Sequence, residues 1–157
     1  MKLEAIIAYF CKYYPYTTEL SNSRLTKLVY LADWFSCLLK NKQMTDIVWM
    51  FNHYGPYVED VLKAVENSSI LEVHMDFNYY GSPKYLIKLI DSNQCFFENN
   101  LDKDDKQVLE FVISKTKSMY YNDFIDYVYS TYPIVTSQRY DVLNLAELSR
   151  AYNQRLN

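Results

Sequence analysis

Ser21-Asn22-Ser23-Arg24-Leu25-Thr26-Lys27-Leu28-Val29-Tyr30-Leu31-Ala32-Asp33-Trp34-Phe35-Ser36-Cys37-Leu38-Leu39-Lys40 is the stretch that decides the fold. Leu25, Leu28, Val29, Ala32, Phe35 and Leu39 recur with the 3.6-residue period of an amphipathic helix, and Ser21, Asn22 and Ser23 supply side-chain oxygens for its N-cap. A long helix running to about Lys40 follows from that pattern. Upstream, Leu3, Ile6, Ile7, Phe10, Cys11 and Tyr14 keep the same period, and Pro15 turns Tyr14 away from helical backbone, which predicts a first helix from about Lys2 to Tyr13.

Downstream the signals change. Ile47 to Tyr54 is rich in β-branched and aromatic residues and reads as extended or irregular. Pro56 suits a helix's first turn, so a third helix is expected over Tyr57 to Val65. Two β-prone runs, Ile70 to Phe77 and Lys84 to Ile90, flank the turn-like Tyr80-Gly81-Ser82-Pro83 and predict a hairpin. Leu101-Asp102 opens a fourth helix, whose early acids Asp102, Asp104 and Asp105 suit the helix dipole. Ser118 caps a fifth, with Tyr121, Ile125, Val128 and Tyr132 along one face and Pro133 as its stop. A last helix is expected from about Leu143 to Gln154. The sum is an α+β fold, mainly α: one compact helical domain over residues 1–157 with about five or six helices and one small β-hairpin.

Composition removes several function classes. Only Gly55 and Gly81 break a glycine-poor chain of 157 residues, and neither sits in a P-loop or a GxGxxG turn, where a backbone without Cβ must approach phosphate. The net charge of −3 and the scattered lysines and arginines give no attraction to a polyanion, so nucleic acid is not an expected partner. Cys11, Cys37 and Cys95 are odd in number and far apart, which fits reduced thiols in a cytoplasm rather than disulfides or zinc. Two histidines, His53 and His74, are too few for a typical ligand cluster, and no metal or cofactor is expected. No apolar run approaches the roughly 18 residues of a membrane span, so a soluble cytoplasmic protein without membrane contact is expected.

No nucleophile, base and orienting partner stand together in the sequence, which leaves no catalytic residue to name. Asp102-Lys103-Asp104-Asp105 lacks the glycine and closing glutamate of a calcium loop and reads as a helix start. The aromatic load is the unusual feature: 17 Tyr, 8 Phe and 2 Trp. Tyrosine joins an apolar body to a polar tip and suits contact surfaces. Tyr120, Tyr127 and Tyr129, out of register with Ile125 and Val128, are candidate contact residues, whereas Tyr121 is expected on the core side.

The order of these signals resembles a known family. Arg24 to Trp34 resembles the LxKLxYxA helix that opens the Panacea domain, also called the SocA-like antitoxin domain, through Leu25, Lys27, Leu28, Tyr30 and Ala32. Its second landmark, an aromatic-Gly-Pro step after a tryptophan, is matched by Trp49 followed by Tyr54-Gly55-Pro56-Tyr57-Val58. Ser118 to Pro133, with Asn122-Asp123-Phe124, resembles the start of a later family helix. Val58-Glu59-Asp60 stands where many members have a second proline, and Ile134 where an aromatic is usual.

The resemblance implies an antitoxin of a two-gene toxin–antitoxin system, of bacterial or phage origin, that binds and neutralises a cognate toxin encoded by the adjacent gene. It also permits an adaptor that delivers the toxin to a protease. A winged-helix operon regulator is the other reading, disfavoured by the acidic balance and the scarcity of basic residues around Tyr54 to Val65. Candidate partner-binding residues are Tyr54 and Tyr57 beside a groove at the Gly-Pro corner, and Lys27 and Trp34. The last two, with Tyr30 and Asp33, are expected to border the core with polar tips reaching solvent. A turn glycine, a helix-starting proline and a solvated helix edge account for the same residues without any partner.

Overall fold

The computed structural model describes residues 2–156. Ser21 caps the helix that organises it: its Oγ accepts a hydrogen bond from the Arg24 N–H at 3.2 Å, and Asn41 in the left-handed region (φ 56) closes the other end. This helix, α2 (Asn22–Lys40), is buried along almost its whole length from Arg24 to Cys37, with α1 (Lys2–Tyr13) packed on it. Both expected spans are observed. Burial on every side follows because α2 also receives α3 (Asp60–Glu66), α4 (Lys103–Thr116) and α7 (Leu145–Arg155). α4 opens with a capping box between Asp102 and Asp105.

The fold is α+β and mainly α. Seven helices are present among the described residues, one of them, α6 (Tyr132–Val135), a single turn after α5 (Tyr121–Tyr129). The expected hairpin forms from β3 (Leu71–Phe77) and β4 (Pro83–Leu89), in antiparallel register from Leu71 opposite Leu89 to Phe77 opposite Pro83. Its base is tied to the helices by the Ile87 N–H, which donates to the Leu20 carbonyl at 2.9 Å.

A second sheet was not read from the sequence. Strand β1 (Trp49–Asn52) lies between β2 (Gly55–Pro56) and β5 (Val142–Leu143), pairing Phe51 with Pro56 and Trp49 with Leu143. Gly55-Pro56 is therefore an edge strand, not a helix start, and α3 begins only at Asp60. Proline is tolerated there because an edge position needs no N–H for the ladder.

Three further expectations are corrected. Pro133 lies in the first turn of α6 rather than ending α5, α5 starts after Tyr120 rather than at Ser118, and α7 starts after Asn144, whose side chain caps it, because Leu143 is taken by β5.

Candidate functional site

The first side chains to fix the site lie inside the protein. Asp33 of α2 is fully buried, and its carboxylate accepts from the Trp49 indole Nε1–H at 2.8 Å, from the Thr45 N–H at 3.0 Å and from the Gln43 side chain at 3.3 Å. Burial holds its pKa above the usual carboxylate range, against the pull of those donors. Tyr30 stands edge-on to Trp49 at 5.5 Å, and its hydroxyl lies 2.8 Å from that of Thr131. Together these contacts clamp β1 onto α2.

That clamp aims the corner after β1. Gly55 has φ 100, a left-handed backbone that calls for glycine, and a Cβ there would meet the Tyr129 ring only at ordinary contact distance, 3.4 Å. With Gly55 and Pro56 buried beneath it, Tyr54 projects outward, 75% exposed.

Tyr54 stands between two depressions. One, about 360 Å³, is lined by Asn22, Ser23, Lys27, Asn52, His53, Tyr54 and Tyr57. The next, about 400 Å³, shares Ser23 and Tyr54 and adds Tyr121, Ile125, Asp126 and Tyr129 from α5. Tyr121 also lines a third, about 610 Å³, with Arg24, Glu19, Lys84 and the hairpin-turn residues Tyr79 and Tyr80. The three adjoin as one tyrosine-rimmed furrow over the N-terminal end of α2. Tyr79 and Tyr80 are 95% and 88% exposed.

Two buried cations lie along it. Arg24 pairs with Glu19 at 2.6 Å, donates to the Met119 carbonyl at 3.2 Å and lies 4.7 Å from the Phe124 ring centre. Lys27, one turn later and 1% exposed, donates to Ser23 Oγ at 3.2 Å. Burial lowers its pKa to about 8. The thiols of Cys11 and Cys37 are buried and pushed up to about 12, leaving both protonated at neutral pH. Among the described residues, no three His, Cys, Asp or Glu side chains are grouped to hold a metal. No helix among them is long and apolar enough to cross a membrane.

The profile of the family described as "Antitoxin SocA-like, Panacea domain" matches residues 25–133, more than half of the chain. The chain belongs to the Panacea domain family. Comparison with curated proteins and with solved structures finds no match. The matched Panacea segment carries the Lys27 helix, the Trp49 strand and the Tyr54-Gly55-Pro56 corner, and the Asp33–Trp49 hydrogen bond joins the first two of these. Helices α1 and α7 lie outside the match yet pack on α2.

Set on this Panacea frame, the candidate residues divide. Lys27, Tyr54, Tyr57 and Tyr129 come together at the furrow. Tyr120 is exposed at the start of α5, next to Tyr121. Trp34 and Tyr127 line a separate depression, where Trp34 stacks on Tyr132 at 6.5 Å.

Lys27, Tyr30, Asp33 and Trp34 are all buried, which corrects the expectation of polar tips in solvent: α2 has no free edge along this stretch. Tyr121, expected inside, is half exposed, because Phe124 and Val128 are the residues that α5 buries. Sequence reasoning also passed over Tyr79 and Tyr80, although their place beside Gly81 at a hairpin turn signals exposure. Arg24 carried no local signal, since its burial depends on Glu19, Met119 and Phe124.

Proposed function

We propose that this Panacea domain is a non-enzymatic antitoxin acting in the cytoplasm, and that it neutralises the toxin of a two-gene system by direct contact along the furrow. Beside the family match, the observation that carries this reading is the row of exposed tyrosines, Tyr54, Tyr79, Tyr80 and Tyr121, around adjoining depressions that the buried α2 side chains Arg24 and Lys27 also line. Tyrosine contributes large contact area with few rotatable bonds, and a handful of such anchors dominates the binding energy of an interface of about 1,600 Å². Neutralisation of this kind needs affinity and steric cover, and no group must turn over.

The test is co-expression with the product of the adjacent gene. The expected result is restored growth and a stoichiometric complex, which the double variant Tyr54→Ala/Tyr121→Ala weakens by about 2 kcal/mol or more while remaining folded. Absence of both rescue and complex overturns the reading. Toxin half-life separates inhibition from delivery to a protease: an inhibitor leaves it unchanged, and a shortened half-life assigns the adaptor role instead.

A further inference from the structure

Arg24 and Lys27 sit one turn apart on α2, and both are buried, but the protein treats them differently. Arg24 has a carboxylate, a carbonyl and an aromatic face around it, and leaves only its Nε without a partner. Lys27 has Ser23 Oγ, and among the described residues no carboxylate lies within 4.0 Å of its ammonium. An ammonium carries three donors, and buried charges in folded proteins are normally paired because desolvation is costly. A methionine at position 27 would fill similar space at lower cost. Keeping lysine there calls for a reason outside the packing of the isolated chain.

The pocket beside it supplies one. About 360 Å³ is at the small end of ligand sites (roughly 300–1,000 Å³), and the described residues that line it include no Asp or Glu, although the chain carries a net charge of −3. Its remaining polar side chains are the neutral groups of Asn22, Ser23, Asn52, Tyr54 and Tyr57 together with His53, and Asn22 already donates to the Tyr57 hydroxyl at 3.1 Å. Tyr54 forms a wall of this pocket and also of the next depression, so an occupant that meets Lys27 continues naturally into the furrow. A free anion would fill only the first compartment. A side chain on a bound protein engages both.

The geometry points to Lys27 as the receptor for an acidic side chain of the partner, an Asp or Glu carboxylate that enters between Tyr54 and Tyr57 and pairs with Nζ. This rests on the antitoxin reading above, with the toxin as the source of the acid.

The experiment uses the full chain and the protein encoded by the adjacent gene. Lys27→Met is expected to keep or raise the melting temperature of the free chain, since an unpaired buried charge is removed, and to weaken the complex roughly thirty-fold or more. Neutralising one Asp or Glu of the partner reproduces that loss, and the two changes together lose no more than either alone. A complex weakened by Tyr54→Ala but untouched by Lys27→Met overturns this inference and leaves the antitoxin reading standing; no complex with the unaltered chain removes both. Should Lys27→Met fail to fold, lysine side-chain NMR of the unaltered protein decides, with His53, Tyr54, Tyr57 and Arg24 as the neighbouring titratable or charged groups. The Lys27 titration moves up towards the ordinary lysine value in the complex if a carboxylate arrives, and stays near 8 if the inference is wrong.

Discussion

Helix α2 buries 13 of its 19 residues, including Arg24, Lys27 and Asp33, whereas the two seven-residue strands of the β3–β4 hairpin bury only Leu71, Leu86 and Ile87. The hairpin leaves Val73, Met75, Phe77 and Tyr85 exposed on one face. Polar groups are inside in one element and apolar groups outside in the other. The difference lies in what each element owes to its surroundings. α2 is held by side chains arriving from far along the chain, such as Trp49 and Thr131, while the hairpin is held by its own ladder and by the packing of its base on α1, α3 and the segment at Leu20. Buried polar packing is concentrated in the first and exposed apolar area in the second.

The largest effect expected from this contrast is at Asp33. Asp33→Ala leaves the Trp49 indole and the Thr45 N–H without an acceptor in the interior and should cost about 3–5 kcal/mol, measured by denaturant unfolding. Asp33→Asn, which keeps an acceptor oxygen, should cost clearly less. Equal losses for the two would show that the carboxylate is not what clamps β1 to α2.

A smaller effect concerns Lys27 and pH. Burial depresses its folded-state pKa to about 8, below the unfolded value of 10.5, so between those limits the unfolded chain binds more protons and stability rises with pH. Relative to Lys27→Met, which lacks the group, the unaltered chain should gain about 1 kcal/mol between pH 7 and pH 9. Parallel stability curves for the two proteins would mean that the ammonium is well solvated. The smallest effect is expected on the hairpin. Phe77→Ser, on the exposed face, should change stability by no more than about 0.5 kcal/mol in thermal unfolding, and a larger loss would mean that the face is packed rather than open.

The same contrast explains what could be read beforehand. The spans of α1 and α2, the Ser21 cap, the hairpin and the Asp102 helix start were legible because each depends on residues within a few positions of one another. Strands β2 and β5 are two residues long, too short to show a period, and β5 joins β1 across some ninety residues of sequence. Their sheet was hidden for that reason, and with it the role of Gly55-Pro56. The inversion of Lys27 and Asp33 was hidden too, since a polar residue beside an apolar stripe looks solvated until the partners that enclose it are known. The exposure of Tyr54 was legible because a Gly-Pro corner throws its neighbour outward. Tyr121 was not, since only packing decided that Phe124 would take the inner position.

The brevity of β2 has one more consequence. A two-residue border containing Pro56, which offers no amide hydrogen, is a poor template for recruiting an additional strand, so this side of the molecule resists edge-to-edge self-association. A partner that docked beside Tyr54, as proposed, would be recognised through side chains rather than by added strand pairing, and exchanging those side chains would change the company the protein keeps without disturbing its backbone.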